Sequence, residues 1–331
     1  MTNQKILLSA PYMLPFKARF IPILQHYGCE VIIPDVHERL EENEILAYAG
    51  SFSGTICGDD RFSETVIKAC TPELKVISKW GTGIDSIDKH AASVHGVQVF
   101  RTINAFTTPV SDSVMGYILA FARKQPWMDT EMKSGKWEKI PGRALSECVL
   151  GVIGVGYIGK EVLKKAYNFG MKLLANDILP IPKDILTKYS VSSVSLKELL
   201  AQADFISLNC DLNPTSLHLI NSETLKYVNN TSVIINTARG PIIKEADLIN
   251  ALMNKRIGGA ALDVFEVEPL PANSPLLHME NVMLAPHNSN SSPSAWEKVH
   301  WQTIKNLLIG LNISHQDFDE IQKENFLQSG K

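Results

Sequence analysis

The sequence predicts an α/β protein made of two doubly wound parallel-sheet domains, and three observations carry that prediction. Short runs rich in Val, Ile and Leu recur along the chain, amphipathic segments ended by Gly or Pro separate them, and a second such series begins near residue 148. Strands that are apolar throughout, with no in-and-out alternation, belong to sheets covered on both faces, and parallel strands need a crossover between them.

The first series is "KILLSA", "CEVIIPD", "SGTICGDD", "LKVISKWG" and "VQVFRTI", with helical spacing in "FKARFIPILQHYG" and "SETVIKACTPE" between the runs. It predicts one α/β domain over residues 1–101. The second is "CVLGVIGVG", "MKLLAND", "ADFISLNC", "SVIINTA", "GGAALDVF" and "NVMLAP", six strand candidates, the number in a full doubly wound dinucleotide fold. It predicts a larger domain over residues 102–296, inserted into the smaller one, which resumes at 297–331. "TPVSDSVMGYILAFARK", residues 108–124, reads as a long helix between the two, with Asp112 in its first turn. "PSAWEKVHWQTIKNLLIGL", residues 293–311, reads as an amphipathic helix that returns the chain to the first domain, and the polar tail after Asn312 is expected to be loosely ordered.

Bulk properties narrow the function classes. With 331 residues, 45% hydrophobic and 20% charged, the chain is long enough for two ordinary cores. A net charge of -3 and the lack of any Lys/Arg-rich block argue against a nucleic-acid partner. The opening "MTNQKILLSAPY" has too short an apolar run for a secretory signal, and no stretch approaches the roughly 18–20 apolar residues of a membrane helix, so a cytoplasmic protein is expected. Cys29, Cys57, Cys70, Cys148 and Cys210 are odd in number and contain no CxxC pair, which suits reduced, buried thiols better than disulfides or a metal site.

"GVIGVGYIG" places Gly154, Gly156 and Gly159 in GxGxxG spacing, after an apolar strand and at the start of an amphipathic segment. Such a loop needs Gly154 for the tight turn, Gly156 for approach of a pyrophosphate to the backbone, and Gly159 for close helix–strand packing. Asp177 follows Gly154 by 23 residues (177 minus 154), at the end of the next strand, where a carboxylate accepts hydrogen bonds from ribose hydroxyls and repels a 2′-phosphate. NAD is therefore expected over NADP. Arg239 in "INTARGPII", Asp263 and Glu268 in "ALDVFEVEP", and His287 in "LAPHNSNSS" each follow an apolar strand. Ligands bind at the C-terminal ends of parallel strands, so all four share an edge with the glycine loop. Taken singly, each also fits a surface ion pair, a solvated charge or a satisfied loop residue.

In this order, "GVGYIG", a strand-end Asp, "NTARG", "ALDVFEVEP" and "APH" resemble the D-isomer-specific 2-hydroxyacid dehydrogenases, the family of phosphoglycerate and glyoxylate/hydroxypyruvate reductases. "SKWGTGIDSID" is similar to that family's glycine-rich substrate loop, and the likeness runs from about residue 74 to 310. The resemblance implies a Rossmann NAD-binding domain inserted in a flavodoxin-like substrate domain, a small 2-hydroxyacid or 2-ketoacid substrate, and a homodimer joined through the long helix after Thr108. It implies that Arg239 holds the substrate carboxylate and C2 oxygen, that His287 transfers the proton, and that Glu268 orients His287. It implies a cofactor site built from Gly154, Gly156, Tyr157, Ile158, Gly159, Asp177, Cys210, Thr237, Ala238, Asp263 and Thr107, with Asp263 facing the nicotinamide carboxamide. Substrate would also meet Lys79, Gly81, Thr82 and Gly83. Lys79 either pairs with a substrate phosphate or second carboxylate, or is a solvated lysine at a strand end.

Two stretches depart from the family pattern. After the histidine the family has roughly HxGG followed by Thr, whereas this chain has Asn288, Ser289, Asn290, Ser291 and Ser292. Where the family has an NTxxVAE-like stretch, this chain carries Phe106 and Asp112. The polar turn makes the particular substrate the open question. A related dehydrogenase with a non-hydroxyacid donor such as phosphite, and an NAD(H)-sensing corepressor-like binding protein, remain as alternatives. The length leaves no room for the C-terminal regulatory domain of the longest phosphoglycerate dehydrogenases, so control by an amino acid is not expected.

Overall fold

The computed structural model describes residues 4–329. The chain divides into two compact units, one containing the residues up to Ala105 and those from Ser292 on, the other Phe106–Ser291. The sequence placed these boundaries at 102 and 296.

In the first unit, strands β1 (Gln4–Leu8), β2 (Cys29–Ile32), β3 (Gly54–Cys57), β4 (Val76–Lys79) and β5 (Gln98–Phe100) form one sheet. Its order is β2-β1-β3-β4-β5, parallel throughout. This is the flavodoxin-like arrangement, and all five expected strands are in it. Residues of β3 and β4 are buried on both faces, as their uninterrupted apolar runs require. The helix Pro293–Gly310 closes one face with Trp301, Ile304, Leu307 and Leu308 buried.

The tail corrects an expectation. Residues Phe318–Ser329 are helical, and Phe318 is 1% exposed, edge-on to Trp301 with ring centroids 5.5 Å apart. Asp317 accepts hydrogen bonds from Tyr27 Oη at 3.0 Å and pairs with His26 at 2.8 Å, and Lys305 pairs with Asp319 at 2.9 Å. A single aromatic anchor in a polar stretch does not register in average polarity, yet it is enough to dock a helix.

In the second unit, β6 (Val149–Ile153), β7 (Lys172–Asn176), β8 (Val191–Ser193), β9 (Phe205–Leu208), β10 (Val233–Asn236), β11 (Gly259–Leu262) and β12 (Val282–Leu284) form a parallel sheet. The order is β12-β11-β10-β9-β6-β7-β8, the doubly wound dinucleotide arrangement with one added edge strand. Neighbouring residues of β6 feed opposite cores: Leu150 and Val152 join one, Ile153 the other. The expected six strands are all present, and β8 is the seventh. Only three residues long, with Ser192 and Ser193 exposed, it pairs with β7 alone and carries no apolar run to reveal it.

The long helix Thr107–Arg123 buries Val114, Met115, Ile118 and Phe121 in the core of this unit, so its apolar stripe is used within the chain. Asp112 lies on its outer side and pairs with Lys165 of the helix Tyr157–Asn168 at 2.5 Å. No helix among the described residues is long and apolar enough to cross a membrane, and no group of His, Cys, Asp or Glu among them is placed to hold a metal ion.

Candidate functional site

The second unit presents two groups of loops at the C-terminal ends of its strands. The first follows β6. Gly154 turns the chain with φ +87°, a conformation that L side chains rarely adopt, and a Cβ there would lie 2.6 Å from the backbone nitrogen of Cys210. Gly159 allows equally close packing, since its Cβ would come within 2.1 Å of the Gly154 carbonyl. At Gly156 a Cβ would meet nothing within 4 Å, so the residue that caps the helix Tyr157–Asn168 faces open space. An unencumbered N-terminus of a twelve-residue helix is where backbone N–H groups and the helix dipole favour a pyrophosphate.

Asp177 braces this turn. Its Oδ2 accepts from Val155 N at 2.6 Å and its Oδ1 from Leu179 N at 2.8 Å. Gly154 N donates to Asn176 O at 2.9 Å, so β7 and the glycine loop are tied together by backbone and side chain alike. Burial pushes the Cys210 thiol up to about 11, which keeps it neutral against the turn. Thr237 Oγ1 and Asn209 Oδ1 are buried without a hydrogen-bond partner among the described residues, at the ends of β10 and β9. The open glycine turn and these unsatisfied oxygens fit a dinucleotide lying across the switch point between β6 and β9, with Tyr157 and Ile158 in the first helical turn beside it.

The second group follows β10, β11 and β12. Asn236, absent from the residues singled out in the sequence, organises the first of these loops: its Oδ1 accepts from Ala238 N at 3.1 Å and its Nδ2 donates to Arg239 O at 2.8 Å. An Asn at a strand end, followed by a turn, was the available signal. Arg239 Nη1 donates to Ala238 O at 2.8 Å. Gly240 then passes so close to the next loop that a Cβ would sit 1.9 Å from the Phe265 carbonyl carbon, which sets the Arg239 loop against the loop carrying Glu268.

Glu268 is held from one side and holds from the other. Oε1 accepts from Phe265 N at 2.9 Å, and Oε2 lies 2.9 Å from His287 Nδ1. Opposite a carboxylate, Nδ1 carries the proton. His287 itself has φ +50°, with its side chain 25% exposed.

Asp263 stands at the base of this corner rather than at its rim. It is 1% exposed, its carbonyl accepts from His287 N at 2.8 Å, and its Oδ1 and Oδ2 accept from Asn288 N and Ser289 N at 2.8 and 2.9 Å. One residue therefore fixes three successive amides of the turn that follows β12. Of the polar residues in that turn, Asn288 is exposed and Ser289 is buried.

In the first unit, the loop after β4 is equally defined. Gly81 has φ +122°, Thr102 N donates to Gly81 O at 2.8 Å, and Thr82 Oγ1 donates to Thr102 O at 2.8 Å. Lys79 departs from the solvated reading. It is 4% exposed, so it is not a solvated lysine, and its Nζ pairs with Asp59 Oδ1 at 3.0 Å. Trp80 donates from Nε1 to His300 Nδ1 at 2.9 Å. An indole N–H can only donate, so His300 is neutral there, and burial lowers its pKa to about 4.

Residues 115–289 match the family model for the NAD-binding domain of D-isomer-specific 2-hydroxyacid dehydrogenases. The chain is 37% identical to a hydroxypyruvate reductase of Thermotoga maritima, covering 83% of this chain and 90% of that protein. It is 36% identical to a glyoxylate reductase of Thermofilum pendens, covering 85% of each. Against a D-3-phosphoglycerate dehydrogenase of Methanocaldococcus jannaschii it is 39% identical over 67% of this chain and spans 43% of that longer protein. Among solved structures, a glyoxylate reductase of Paecilomyes thermophila superposes with a TM-score of 0.79 at 26% identity, over 93% of this chain and 95% of that one.

Proposed function

The chain belongs to the D-isomer-specific 2-hydroxyacid dehydrogenase family, NAD-dependent enzymes acting on the CH–OH group, and from that premise we propose that it interconverts a small, unphosphorylated 2-ketoacid and its D-2-hydroxyacid. The observation that carries this reading is the His287–Glu268 pair, 2.9 Å apart, at the same sheet edge as Arg239 and the glycine turn. Bound NADH supplies the hydride.

The protein's own groups do the rest. Arg239 presents a planar fork suited to a carboxylate and the adjacent C2 oxygen, which fixes the substrate's orientation. His287 Nε2 gives its proton to the C2 oxygen during reduction and takes it back during oxidation. Glu268 keeps the ring in one tautomer and lowers the cost of its charged state. The glycine turn and Asp177 hold the cofactor through backbone amides and ribose hydroxyls.

Preference for an unphosphorylated substrate is supported by Lys79, whose ammonium already has a carboxylate partner in Asp59. The relatives matched over most of their length carry the names glyoxylate and hydroxypyruvate reductase, which agrees. The test is NADH oxidation with glyoxylate, hydroxypyruvate and 3-phosphohydroxypyruvate. We expect kcat/KM for an unphosphorylated acid to exceed that for the phosphorylated one by tenfold or more, about 1.4 kcal/mol; the reverse order overturns the substrate assignment.

A homodimer is part of the same proposal. The contact is assigned to the segment after the long helix, where Met132 and Trp137 are exposed, Trp137 by 82%. Light scattering on the purified protein should give twice the 36.7 kDa chain mass, and Trp137→Glu should shift it toward that single mass.

A further inference from the structure

A second histidine–carboxylate pair stands at the same sheet edge as the first. His218 Nε2 lies 2.7 Å from Glu266 Oε1, on loops that follow β9 and β11. The carboxylate accepts, so Nε2 carries the proton. Neither residue takes part in the reaction derived above, yet Glu266 is separated from Glu268 by a single residue. His218 is pinned on both sides: its N–H donates to Pro241 O at 2.8 Å, and its carbonyl accepts from Asn221 Nδ2 at 2.8 Å. With φ +51°, it holds a left-handed backbone that a side-chain-bearing residue keeps only when its surroundings impose it. Just beyond, Ile220 N donates to Ile242 O at 3.1 Å and Lys244 N to Ile220 O at 2.8 Å, so this segment runs as a short ladder along the chain that follows Arg239. His218 therefore bonds the Arg239 loop through its main chain and the Glu268 loop through its ring.

We propose that His218 and Glu266 are positioning residues that fix the register between Arg239 and the Glu268–His287 pair. This rests on the dehydrogenase reading above. Every link is a hydrogen bond or a covalent neighbour. The path runs from Pro241 O to His218 N, from the His218 ring to Glu266, and along the chain to Phe265. It continues from Phe265 N to Glu268 Oε1 at 2.9 Å, and from Glu268 Oε2 to His287 Nδ1 at 2.9 Å. The need is geometric. Arg239 orients the ketoacid and His287 gives the proton from a loop on another strand, so an error in loop spacing becomes an error in the distance the proton crosses. Gly240 lets the Arg239 loop pack against Phe265, but close packing limits approach without preventing sliding, and a directional hydrogen bond prevents it. Glu245, at the start of the helix Glu245–Met253, secures the same segment by a longer bond, its Oε2 accepting from Glu266 N at 3.3 Å. The His218 and Glu266 side chains are 41% and 30% exposed, and an ion pair so exposed contributes little to global stability, so removing it tests position and not folding.

The test begins with hydrogen exchange on the free protein, which needs no substrate. His218→Ala and Glu266→Ala should each raise the exchange rate of the Phe265 amide about tenfold, while the Asn288 and Ser289 amides held by Asp263 stay unchanged. An unchanged Phe265 amide, or an equal rise at all three amides, overturns the proposal. Turnover supplies the second readout. Each alanine variant should lower kcat about tenfold, with the ketoacid KM changed less than about threefold. Glu266→Gln keeps an oxygen that accepts from His218 Nε2 and should bring kcat back to within about threefold of the wild type. The double alanine variant should be no slower than the slower single one, because both changes break one path. Losses that multiply, a glutamine variant as slow as the alanine one, or a kcat that falls only as far as the folded fraction falls, overturn it. A wild-type chain inactive on every ketoacid sinks the dehydrogenase reading instead, and the exchange experiment still decides whether the pair holds the Glu268 loop.

Discussion

His287 and His300 lie thirteen residues apart in the chain (300 minus 287) and end in opposite surroundings. His287, in the second unit, keeps a quarter of its side chain exposed and faces the Glu268 carboxylate. His300, in the first unit, is 2% exposed and faces an indole N–H, which tolerates only the neutral ring. The same contrast runs through the charged residues around each. In the second unit, Glu268 and Arg239 are only partly buried, where they can meet a ligand. In the first unit, Lys79 is paired with Asp59, and Asp60 is buried with hydrogen bonds from Ser9 Oγ and from Leu40 N at 2.8 Å. Burial raises the pKa of Asp60 while those donors oppose the shift.

The contrast is most easily broken at His287. His287→Ala should lower turnover about a hundredfold to ten-thousandfold, the range for loss of a general acid, while NADH affinity measured by fluorescence stays close to that of the wild type. Comparable losses of affinity and turnover would make His287 a structural residue like His300, and the distinction would vanish.

His300 gives the smaller effect, and its sign follows from linkage. The folded-state pKa of about 4 lies below the ordinary 6.5. Above pH 6.5 neither state binds a proton there, so the full stability is present. Below it the unfolded chain takes up a proton that the folded protein refuses. Stability is therefore lost as the pH falls from 6.5 through about 4, by up to about 3 kcal/mol from this residue. Denaturant unfolding of the wild type at pH 7, 5 and 4 should show that loss, and His300→Asn, which keeps an acceptor but cannot titrate, should flatten it. An unchanged slope in the variant would falsify the assignment to His300.

Much of the molecule was legible in the chain. Apolar runs reveal eleven of the twelve strands among the described residues; β8, at a sheet edge with two exposed serines, has no such run. The glycine motif was legible because its demands are local: a positive φ at Gly154 and a missing Cβ at Gly159 are properties of single positions. Asn236 and Gly240 were not singled out, because their work is done on loops that come from other strands. Asp263 illustrates the limit. Its place after β11 was evident, but that it would turn inward and hold three amides of a loop about 25 residues on depends on β11 and β12 being neighbours in the sheet.

By itself, the sequence determined the fold class, the strand series, the glycine turn and the residue types at the strand ends, since periodicity and steric demand act over a few neighbouring residues. Tertiary structure alone decided which of those residues are committed. It paired Lys79 with Asp59, made His300 neutral, docked a polar tail through Phe318, and set the Asp263 carboxylate against the amides of Asn288 and Ser289. Burial and hydrogen-bond partners are supplied by segments far away in the chain, and the charge state of a side chain follows from them.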